Sequence, residues 1–387
     1  MSTKKTDKTK VNTKPLRVFE AFAGIGAQRK ALANINKKYE VVGMAEWFIT
    51  AIISYQAIHH HLTIDPIDHK TTTKTMIKYL ESLPLSLDSK QPIKKGYWKR
   101  KKLNELRIIY KAVKASEAEG NIFDVRTLYK RKLADVDLIT YSFPCQDLSQ
   151  QGKQRGIKEG TRSGLLWEVE KALESTPKTK LPKYLLMENV TALIHKTFKD
   201  DLSKWMKRLE KLGYKNNIKI LNAGDFGSAQ ARRRVYMISS LKKEVKLPEG
   251  KQLPKAIKTV LDKKPSNKDF MPSLDKYDIS DFRLTKSNIN KGTLINYSTF
   301  NSEAYVYDLK HTGPTLTASG ANSRIKMKYD NKIRKMNARE AYQYMGFDEE
   351  DYNKVNALNF LTQTKMIYTC GNSISVEVLE EIMRGFE

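Results

Sequence analysis

Short apolar runs alternate with longer amphipathic segments over most of the first 245 residues. The apolar runs have the length of buried strands, and the segments between them have helical composition. Strands are predicted at residues 16–22, 40–47, 135–143, 184–190, 217–223 and 234–240. Because strands alternate with helices, the pattern predicts an α/β fold with a Rossmann-like, doubly wound, largely parallel sheet. Such a sheet binds its ligand at the carboxyl ends of its strands.

Helices are predicted at residues 27–37, 49–60, 165–173, 202–212, 337–345 and 376–383. Gly213 directly follows one of these segments. Glycine readily adopts the left-handed backbone conformation in which many helices end. We therefore expect that helix to end at Gly213.

Two regions interrupt the alternation. Residues 62–120 are strongly basic and contain KKGYWKRKK, followed by a predicted helix at 102–119. Residues 245–330 are rich in Lys, Pro and Asn with short β-like pieces, which indicates a second, smaller domain. The expected organisation is a basic flexible arm (1–14), a main domain (15–244) with the insertion at 62–120, the small domain (245–330), and a C-terminal return to the main domain (331–387).

The charge of the chain favours a polyanionic partner. Its 70 Lys and Arg residues exceed its 43 Asp and Glu residues, a net charge of +27. Each phosphate that a basic side chain neutralises releases a condensed counterion, which drives binding to nucleic acid. A generally lysine-rich proteome is the alternative explanation.

The chain has only two cysteines, Cys145 and Cys370, which indicates neither a disulfide framework nor a cysteine-based zinc site. No apolar run approaches the roughly 20 residues of a membrane span, and the N-terminus lacks the apolar core of a signal peptide. We therefore expect a protein of the reducing cytosol, associated with the nucleoid.

Two glycines follow the first predicted strand, in FAGIG at residues 22–26. Glycines there let the backbone approach a nucleotide-like ligand, although a plain turn is the alternative. The next strand ends at Glu46 and Trp47, which can bind ribose hydroxyls and cover an adenine ring. Asp124 can accept a hydrogen bond from an adenine amino group. Because a third, pyrophosphate-binding glycine is missing, a compact adenosine ligand is favoured over a dinucleotide.

A cysteine lies where the strand 135–143 ends, in SFPCQDLSQQG at residues 142–152. Cys145 opens a polar loop, a poor environment for a buried structural thiol. Glu188 lies near the end of another strand, and its carboxyl group can hold or donate a proton beside Cys145. QARRR at 230–234 leads into the last strand, with a solvated turn as the alternative reading.

The motifs FAGIG, EW, FPCQ, ENV, QxRxR and a terminal GNS occur in an order that resembles the DNA cytosine-5 methyltransferases. The resemblance extends from about Arg17 to the C-terminus and leaves out the tail and the insertion 62–120. YSFPCQDLSQQG, TRSGLLWE, PKYLLMENV and GPTLTASGANSRIK are most similar to the CpG-specific bacterial enzymes of the mollicute type.

This resemblance implies a role for each matching residue. The cofactor S-adenosyl-L-methionine (AdoMet), whose product is S-adenosyl-L-homocysteine, would be bound by Phe22, Gly24, Gly26, Glu46, Trp47, Asp124, Val125, Pro144, Leu165 and Asn372. Cys145 would be the nucleophile, and Glu188 would hold the N3/N4 edge of cytosine. Arg232 and Arg234 would be the cations near the thiol and the base O2.

The chemistry explains why these groups are needed. Carbon 5 of cytosine is too weak a nucleophile to take the methyl group, but addition of the Cys145 thiolate at carbon 6 makes it enamine-like. A hydrogen bond from a protonated Glu188 to N3 would draw charge off the ring. The base must rotate out of the duplex to be reached, and Gln146 or Ser149 is expected to fill the space it leaves.

Double-stranded DNA is the expected partner, and the small domain is expected to read its sequence. Short side chains and glycines let the backbone approach base edges. The predicted DNA-contacting residues are Lys286, Ser287, Asn288, Thr315, Thr317, Ala318, Ser319, Gly320, Asn322, Ser323 and Arg324. The KKGYWKRKK patch is expected to contact phosphates, with a solvated helix face as the alternative.

The enzyme is expected to be a monomer. It is also expected to hold no metal ion, because the adjacent His59, His60 and His61 cannot face one point on a helix. Two alternatives to this function stay open. An RNA cytosine-5 methyltransferase has the same fold, and an inactive DNA-binding regulator can retain it. The sequence of the small domain is similar to that of the DNA enzymes, which favours DNA over RNA as the substrate. The intact motifs favour an enzyme over a regulator.

Overall fold

Seven strands form the central sheet. The computed structural model describes residues 14–63, 71–131, 133–143 and 163–387. The strand order is β3-β2-β1-β4-β5-β7-β6. Strands β1 to β5 are parallel, whereas β7 runs antiparallel between β5 and β6. The doubly wound α/β fold is therefore confirmed, with the strands β1 (Leu16–Ala21), β2 (Tyr39–Ala45), β3 (Asn121–Ile122), β4 (Leu138–Tyr141), β5 (Tyr184–Val190), β6 (Lys215–Asn222) and β7 (Arg233–Ser240).

Helices cover both faces of this sheet. On β5, Leu186 belongs to one hydrophobic core and Leu185 to the other, because successive strand residues point to opposite faces. The first core includes residues of α1 (Ala27–Asn34), α2 (Ile49–His60), α4 (Leu103–Ala118) and α11 (Val376–Arg384). The second includes residues of α5 (Leu166–Glu174) and α6 (Lys199–Lys211). Burial on both faces explains why the strands appear in the sequence as continuous apolar runs.

The predicted elements are all present, with ends that shift by a few residues. Helix α2 coincides with its prediction, and Gly213, at φ +99°, follows the end of α6 as expected. Three helices longer than one turn were not predicted: α3 (Thr73–Glu81), α9 (Glu349–Ala357) and α10 (Gln363–Asn372). Helix α9 buries only Asp351 and Val355 and shows no clear apolar stripe, whereas α3 buries Met76 and Leu80 one turn apart on one face.

The basic insertion is part of the folded main domain. Its helix α4 packs on α2, and Trp98 from the KKGYWKRKK patch is 1% exposed within the first core. Lys99 and Arg100, which directly follow this tryptophan, are exposed. The patch therefore combines a core anchor with surface cations, because one short turn at 98–100 points the indole inward.

A second sheet, with strand order β12-β11-β10-β9-β8, lies in the C-terminal half. Its elements are β8 (Arg283–Leu284), β9 (Asn290–Thr293), α7 (Asn301–Ala304), β10 (Tyr305–Tyr307), β11 (Lys326–Tyr329) and β12 (Lys332–Lys335). Arg334 on β12 forms a fully buried ion pair with Glu340 on the following helix α8 (Ala338–Tyr344). This pair ties the small sheet to the C-terminal helices.

Within the described ranges, every helix is too short or too polar to cross a bilayer. The described residues also contain no group of three or more His, Cys, Asp or Glu side chains arranged to hold a metal ion. His59 instead contacts the Ile25 carbonyl at 3.1 Å, and His60 contacts Glu119 at 2.5 Å.

Candidate active site

A cavity of ≈ 580 Å³ opens at the carboxyl ends of the five parallel strands. This is the edge at which a doubly wound sheet binds ligands. Eleven of the predicted cofactor and catalytic residues line it: Phe22, Gly24, Glu46, Trp47, Asp124, Val125, Leu165, Asn372, Glu188, Arg232 and Arg234. Residues from distant parts of the chain thus share one cavity because the strands bring their carboxyl ends together.

The FAGIG turn forms the start of one wall. Phe22 has φ +60°, a conformation that is strained for a bulky residue and that is found most often at functional sites. A Cβ atom on Gly24 would meet no protein atom within 4 Å, and Gly24 lines the cavity. Gly26 is not among the lining residues; a Cβ there would lie 2.3 Å from Nε2 of His59. Gly26 thus permits close packing of the turn on α2.

Glu46 organises the turn that follows β2. Its carboxylate accepts hydrogen bonds from the backbone N–H groups of Gly24 (2.9 Å), Trp47 (2.9 Å) and Phe48 (2.8 Å). Asn121 on β3 holds the backbone of Glu46 from both sides, at 2.9 and 3.0 Å. Burial raises the pKa of Glu46, although the three donated hydrogen bonds oppose the shift. One carboxylate therefore fixes the relative positions of the first two strand ends.

Asp124 lies just after β3 and pairs with Arg126. The Nε and Nη2 atoms of Arg126 each donate to one oxygen of the Asp124 carboxylate at 2.8 Å. Partial burial raises the pKa of Asp124, but the hydrogen bonds from Arg126 outweigh it and hold this pKa below its usual range. The group is therefore an ionised acceptor at the cavity wall.

The lining fits an adenosine-like ligand. Apolar side chains that can face a flat ring stand beside the two carboxylates of Glu46 and Asp124, which can accept from hydroxyl and amino groups. The apolar lining residues include Trp47, Ile122, Phe123, Val125, Phe143 and Leu165. This combination of ring-sized apolar surface and acceptors matches the donor pattern of AdoMet.

Glu188 is held on both sides at the carboxyl end of β5. Ser142 donates from Oγ to Oε2 of Glu188 at 2.6 Å, and Nε of Arg234 lies 3.3 Å from Oε1. Glu188 is only 6% exposed, so both contacts form away from bulk water. The carboxylate therefore has a defined orientation at the cavity wall.

Arg232 lies two residues before Arg234 but makes different contacts. Its guanidinium donates to the carbonyl oxygens of Leu316 (2.8 Å), Gly371 (3.3 Å) and Ser373 (2.7 Å). The side chain is buried, at 4% exposure. Arg232 thus joins the start of β7, the small domain and the end of α10.

The remainder of QARRR also binds the small domain. Ala231 and Gly313 are joined by a backbone hydrogen bond of 2.9 Å, and Gln230 accepts from the Leu316 N–H at 2.9 Å. The solvated-turn interpretation therefore applies only to the exposed Arg233.

Pro144, Cys145, Gln146 and Ser149 lie outside the described residues. The chain is described up to Phe143, whose carbonyl accepts a hydrogen bond from the Asn189 side chain at 3.1 Å. The other cysteine, Cys370, is fully buried, and burial raises its pKa well above the usual range. A thiol in that environment stays protonated and is a poor nucleophile.

The predicted DNA-contacting residues fall in two loops of the small domain. Asn288 adopts φ +55°, and its side chain donates to Thr312 at 3.1 Å. The hydroxyl groups of Thr315 and Thr317 donate to the carbonyls of Ala231 and Ser319. Among the remaining predicted residues, Lys286, Ser287, Ser319, Gly320 and Arg324 are exposed, whereas Ala318, Asn322 and Ser323 are half-buried.

Sequence reasoning missed several residues of the cavity wall. Ser142 precedes the recognised FPCQ motif, and no pattern distinguished it from other strand-end serines. The lining also includes Pro84, Ser89, Lys90 and Pro92 from the insertion, and Arg126, Glu168 and Thr369 from other segments. These residues reach the cavity through tertiary contacts.

Comparisons with known proteins agree with this geometry. Residues 73–386 match the family model described as C-5 cytosine-specific DNA methylase. The orphan methyltransferase M.SssI of Spiroplasma monobiae is 60% identical over 97% of this chain and 98% of its own length. The type II methyltransferase M2.ScrFI of Lactococcus lactis subsp. cremoris is 35% identical over 95% of this chain and 98% of its own.

Solved structures of low identity share the fold. The Dnmt2 methyltransferase of S. pombe covers 96% of this chain and 97% of its own, with a TM-score of 0.60 at 17% identity. The Entamoeba histolytica methyltransferase EhMeth covers 97% and 98%, with a TM-score of 0.60 at 16% identity. Together with the family match, the motifs and the cavity lead to one conclusion: the chain belongs to the C-5 cytosine-specific DNA methylases and is an AdoMet-dependent DNA (cytosine-5) methyltransferase.

Proposed function

We propose that this enzyme methylates carbon 5 of a flipped-out cytosine at CpG sites in duplex DNA, with Cys145 as the covalent nucleophile. The observation that carries this proposal is the position of Glu188. Its carboxylate lies in the same cavity as the residues that fit an adenosine-like ligand. The chain that leads to Cys145 leaves the sheet beside Glu188. Base-binding and cofactor-binding groups therefore share one cavity.

The cofactor side of the cavity would hold AdoMet, which supplies an electrophilic methyl group on its sulfonium. Glu46 would accept hydrogen bonds from the ribose hydroxyls, Trp47 would cover the adenine, and Asp124 would face its amino group. Phe22, Gly24, Val125, Leu165 and Asn372 would complete the pocket together with Pro144, and Gly26 would keep the FAGIG turn packed.

On the base side, the Cys145 thiolate would form a bond to carbon 6 while charge moves to carbon 5 and N3. Glu188 would hold the N3/N4 edge, since Ser142 and Arg234 orient its carboxylate. After methyl transfer, loss of the carbon 5 proton and breakage of the sulfur–carbon bond would restore the ring. Arg234 would add positive charge near the base, and Arg232 would act with it while holding the surrounding backbone.

The small domain would read the DNA sequence, with the two loops at 286–288 and 315–324 at the base edges. The net charge of +27 supports binding to the phosphate backbone. The resemblance of FPCQDLSQQG and GPTLTASGANSR to CpG-specific enzymes supports the CpG specificity. Gln146 or Ser149 would fill the space left by the base. We further propose that the enzyme acts as a monomer, without a metal ion, in the cytosol where the nucleoid lies.

A duplex that carries 5-fluorocytosine in place of the target cytosine should trap the enzyme. Fluorine cannot leave as a proton does, so the covalent adduct should persist through denaturing electrophoresis when AdoMet is present. We expect the adduct in the wild type and in Cys370→Ala, and none in Cys145→Ser. An adduct that survives Cys145→Ser would contradict the proposed nucleophile, and trapping on tRNA instead of duplex DNA would favour an RNA substrate.

Bisulfite sequencing of a plasmid methylated by the purified enzyme tests the sequence specificity. We expect protected cytosines wherever guanine follows and converted cytosines elsewhere. Protection that depends on a longer sequence, or that does not sort by the following base, would contradict CpG recognition. Unmodified plasmid serves as the control for incomplete conversion.

Removal of the Ser142 hydroxyl should slow turnover while leaving cofactor binding intact. A hydrogen bond to a charged group contributes about 1.5–3 kcal/mol, so Ser142→Ala is expected to lower kcat by about tenfold or more. Ser142→Thr retains the hydroxyl and should recover most of the activity. Single-turnover kinetics and AdoMet binding measured together would separate this positioning role from misfolding. An unchanged kcat in Ser142→Ala would refute it.

Both arginines of QARRR should contribute to stability, and Arg234 should in addition set the rate of the reaction. Arg232→Met removes a charged donor from three buried carbonyls and should lower the free energy of unfolding by about 3 kcal/mol or more. Arg234→Met leaves the largely buried carboxylate of Glu188 without its cation, so it should lower the free energy of unfolding by about 3 kcal/mol and also lower kcat, because Glu188 lies in the catalytic cavity. Urea unfolding beside methyl-transfer kinetics checks both. An unchanged kcat in folded Arg234→Met protein would contradict the assignment.

A further inference from the structure

The basic insertion contributes a wall of the catalytic cavity. Pro84, Ser89, Lys90 and Pro92 all line it, although they lie in the region that the motifs leave out. We propose that this loop, residues 84–92, is a built part of the AdoMet site and that Lys90 binds the methionine carboxylate of AdoMet. The proposal deepens the proposed function and rests on its assignment of the cavity to AdoMet.

The loop is joined to the backbone that carries Trp47. Ser86 N–H donates to the Trp47 carbonyl at 2.9 Å, and the Ile49 N–H donates to the Ser86 carbonyl at 3.0 Å. Ser86 is fully buried, so these hydrogen bonds are shielded from water. The loop is therefore fixed beside the residue that would cover the adenine.

Asp88 gives the loop a defined shape. Its Oδ1 accepts from the backbone N–H groups of Lys90 (2.8 Å) and Gln91 (3.0 Å) and from the Ser86 hydroxyl (3.1 Å). Some desolvation raises the pKa of Asp88, but these hydrogen bonds and the nearby positive charge of Lys90 outweigh it and keep the carboxyl group ionised. The direction in which the chain presents Lys90 is thus set by a closed turn.

A second contact joins the loop to the opposite wall. The hydroxyl of Tyr368 on α10 lies 3.3 Å from the Ser89 hydroxyl and donates to the Asp88 carbonyl at 3.4 Å. Its ring also packs edge-on against Phe48, with centroids 5.7 Å apart. The same helix carries Thr369, Gly371 and Asn372, which line the cavity. The loop therefore bridges the β2 and α10 sides of the site.

The cations around the cavity differ in what they already bind. Arg126 pairs with Asp124, Arg234 lies against Glu188, and Arg232 donates to three carbonyls. In the part of the chain that the structure describes, the ammonium group of Lys90 forms no ion pair or side-chain hydrogen bond. Lys90 is thus the cavity cation best able to bind an anionic group of a ligand.

The chemistry of AdoMet identifies that group. Its adenine and ribose are neutral, and its sulfonium and α-ammonium groups are positive and would repel a lysine. The α-carboxylate is the one anionic group, so Coulomb attraction selects it. Because Lys90 is exposed, solvent screening limits the gain to about a fivefold effect on affinity.

Calorimetric binding of two ligands to the full-length enzyme tests the proposal. S-adenosylhomocysteine has the carboxylate, whereas 5′-methylthioadenosine lacks the whole amino-acid end. We expect Lys90→Met to weaken S-adenosylhomocysteine binding about two- to fivefold and to leave methylthioadenosine binding unchanged. Lys90→Arg should retain most of the affinity, and the matched control Lys95→Met should change neither ligand, since Lys95 is exposed outside the cavity lining.

Equal weakening of both ligands in Lys90→Met, or no weakening of either, would overturn the proposal. The affinity lost in Lys90→Met should also shrink as NaCl is raised, since the pairing is electrostatic. A salt-independent loss would likewise contradict it. If the wild type failed to bind S-adenosylhomocysteine at all, the proposed function itself would fail, which distinguishes the two outcomes.

Asp88→Ala provides a second variant that acts through the shape of the loop. Loss of the turn should displace Lys90 and weaken S-adenosylhomocysteine but not methylthioadenosine. In combination with Lys90→Met it should add little, because both changes remove the same contact. Fully additive losses would show that Asp88 acts elsewhere and would count against a built loop.

Discussion

The guanidinium of Arg232 holds together the parts of the molecule that the reaction needs in one place. It donates to backbone carbonyls of the small domain and of the end of α10, while its own backbone directly precedes β7. A buried cation loses its hydration, and the carbonyl acceptors replace that lost water. The arrangement is therefore stable only when all the segments that carry these carbonyls are assembled. The carboxyl edge of the sheet, α10 and the loop 315–324 are therefore joined in one unit.

Close packing at the same junction reinforces this contact. A Cβ atom on Gly371 would lie 2.3 Å from the backbone nitrogen of Ala318, so α10 and the loop 315–324 meet backbone to backbone. Movement of the loop 315–324 would therefore displace the segment that carries Asn372. A physical link thus exists between the loop that would read DNA and a residue that would close the cofactor pocket.

Two carboxylates of the cavity are paired with arginines. Glu188 and Asp124 each face an arginine, so both carboxylates are held in place within a partly apolar cavity. The Ser142 hydroxyl adds a neutral donor to Glu188, which orients the carboxylate without adding charge. The insertion would supply a further cation at the outer wall, so a segment outside the family motifs would help to set cofactor affinity.

The sequence alone determined the alternation of strands and helices, because each strand buries both faces and must be apolar throughout. It also determined the family and the motif residues of the cavity lining, since these residues follow strand ends and parallel strands bring those ends to one edge. Glu46, Asp124 and Glu188 could be assigned to a common site for this reason.

Only the tertiary structure decided what the individual polar groups bind. Arg232 and Arg234 look equivalent in QARRR, but the partners of Arg232 lie 84 and 139 positions away in the chain, where no local pattern can indicate them. Trp98 within a basic patch became a core residue, and the loop 84–92 became a cavity wall, because packing against α2 and α10 placed them there. Long-range contacts of this kind depend on the geometry of the whole fold and leave no periodic trace in the sequence.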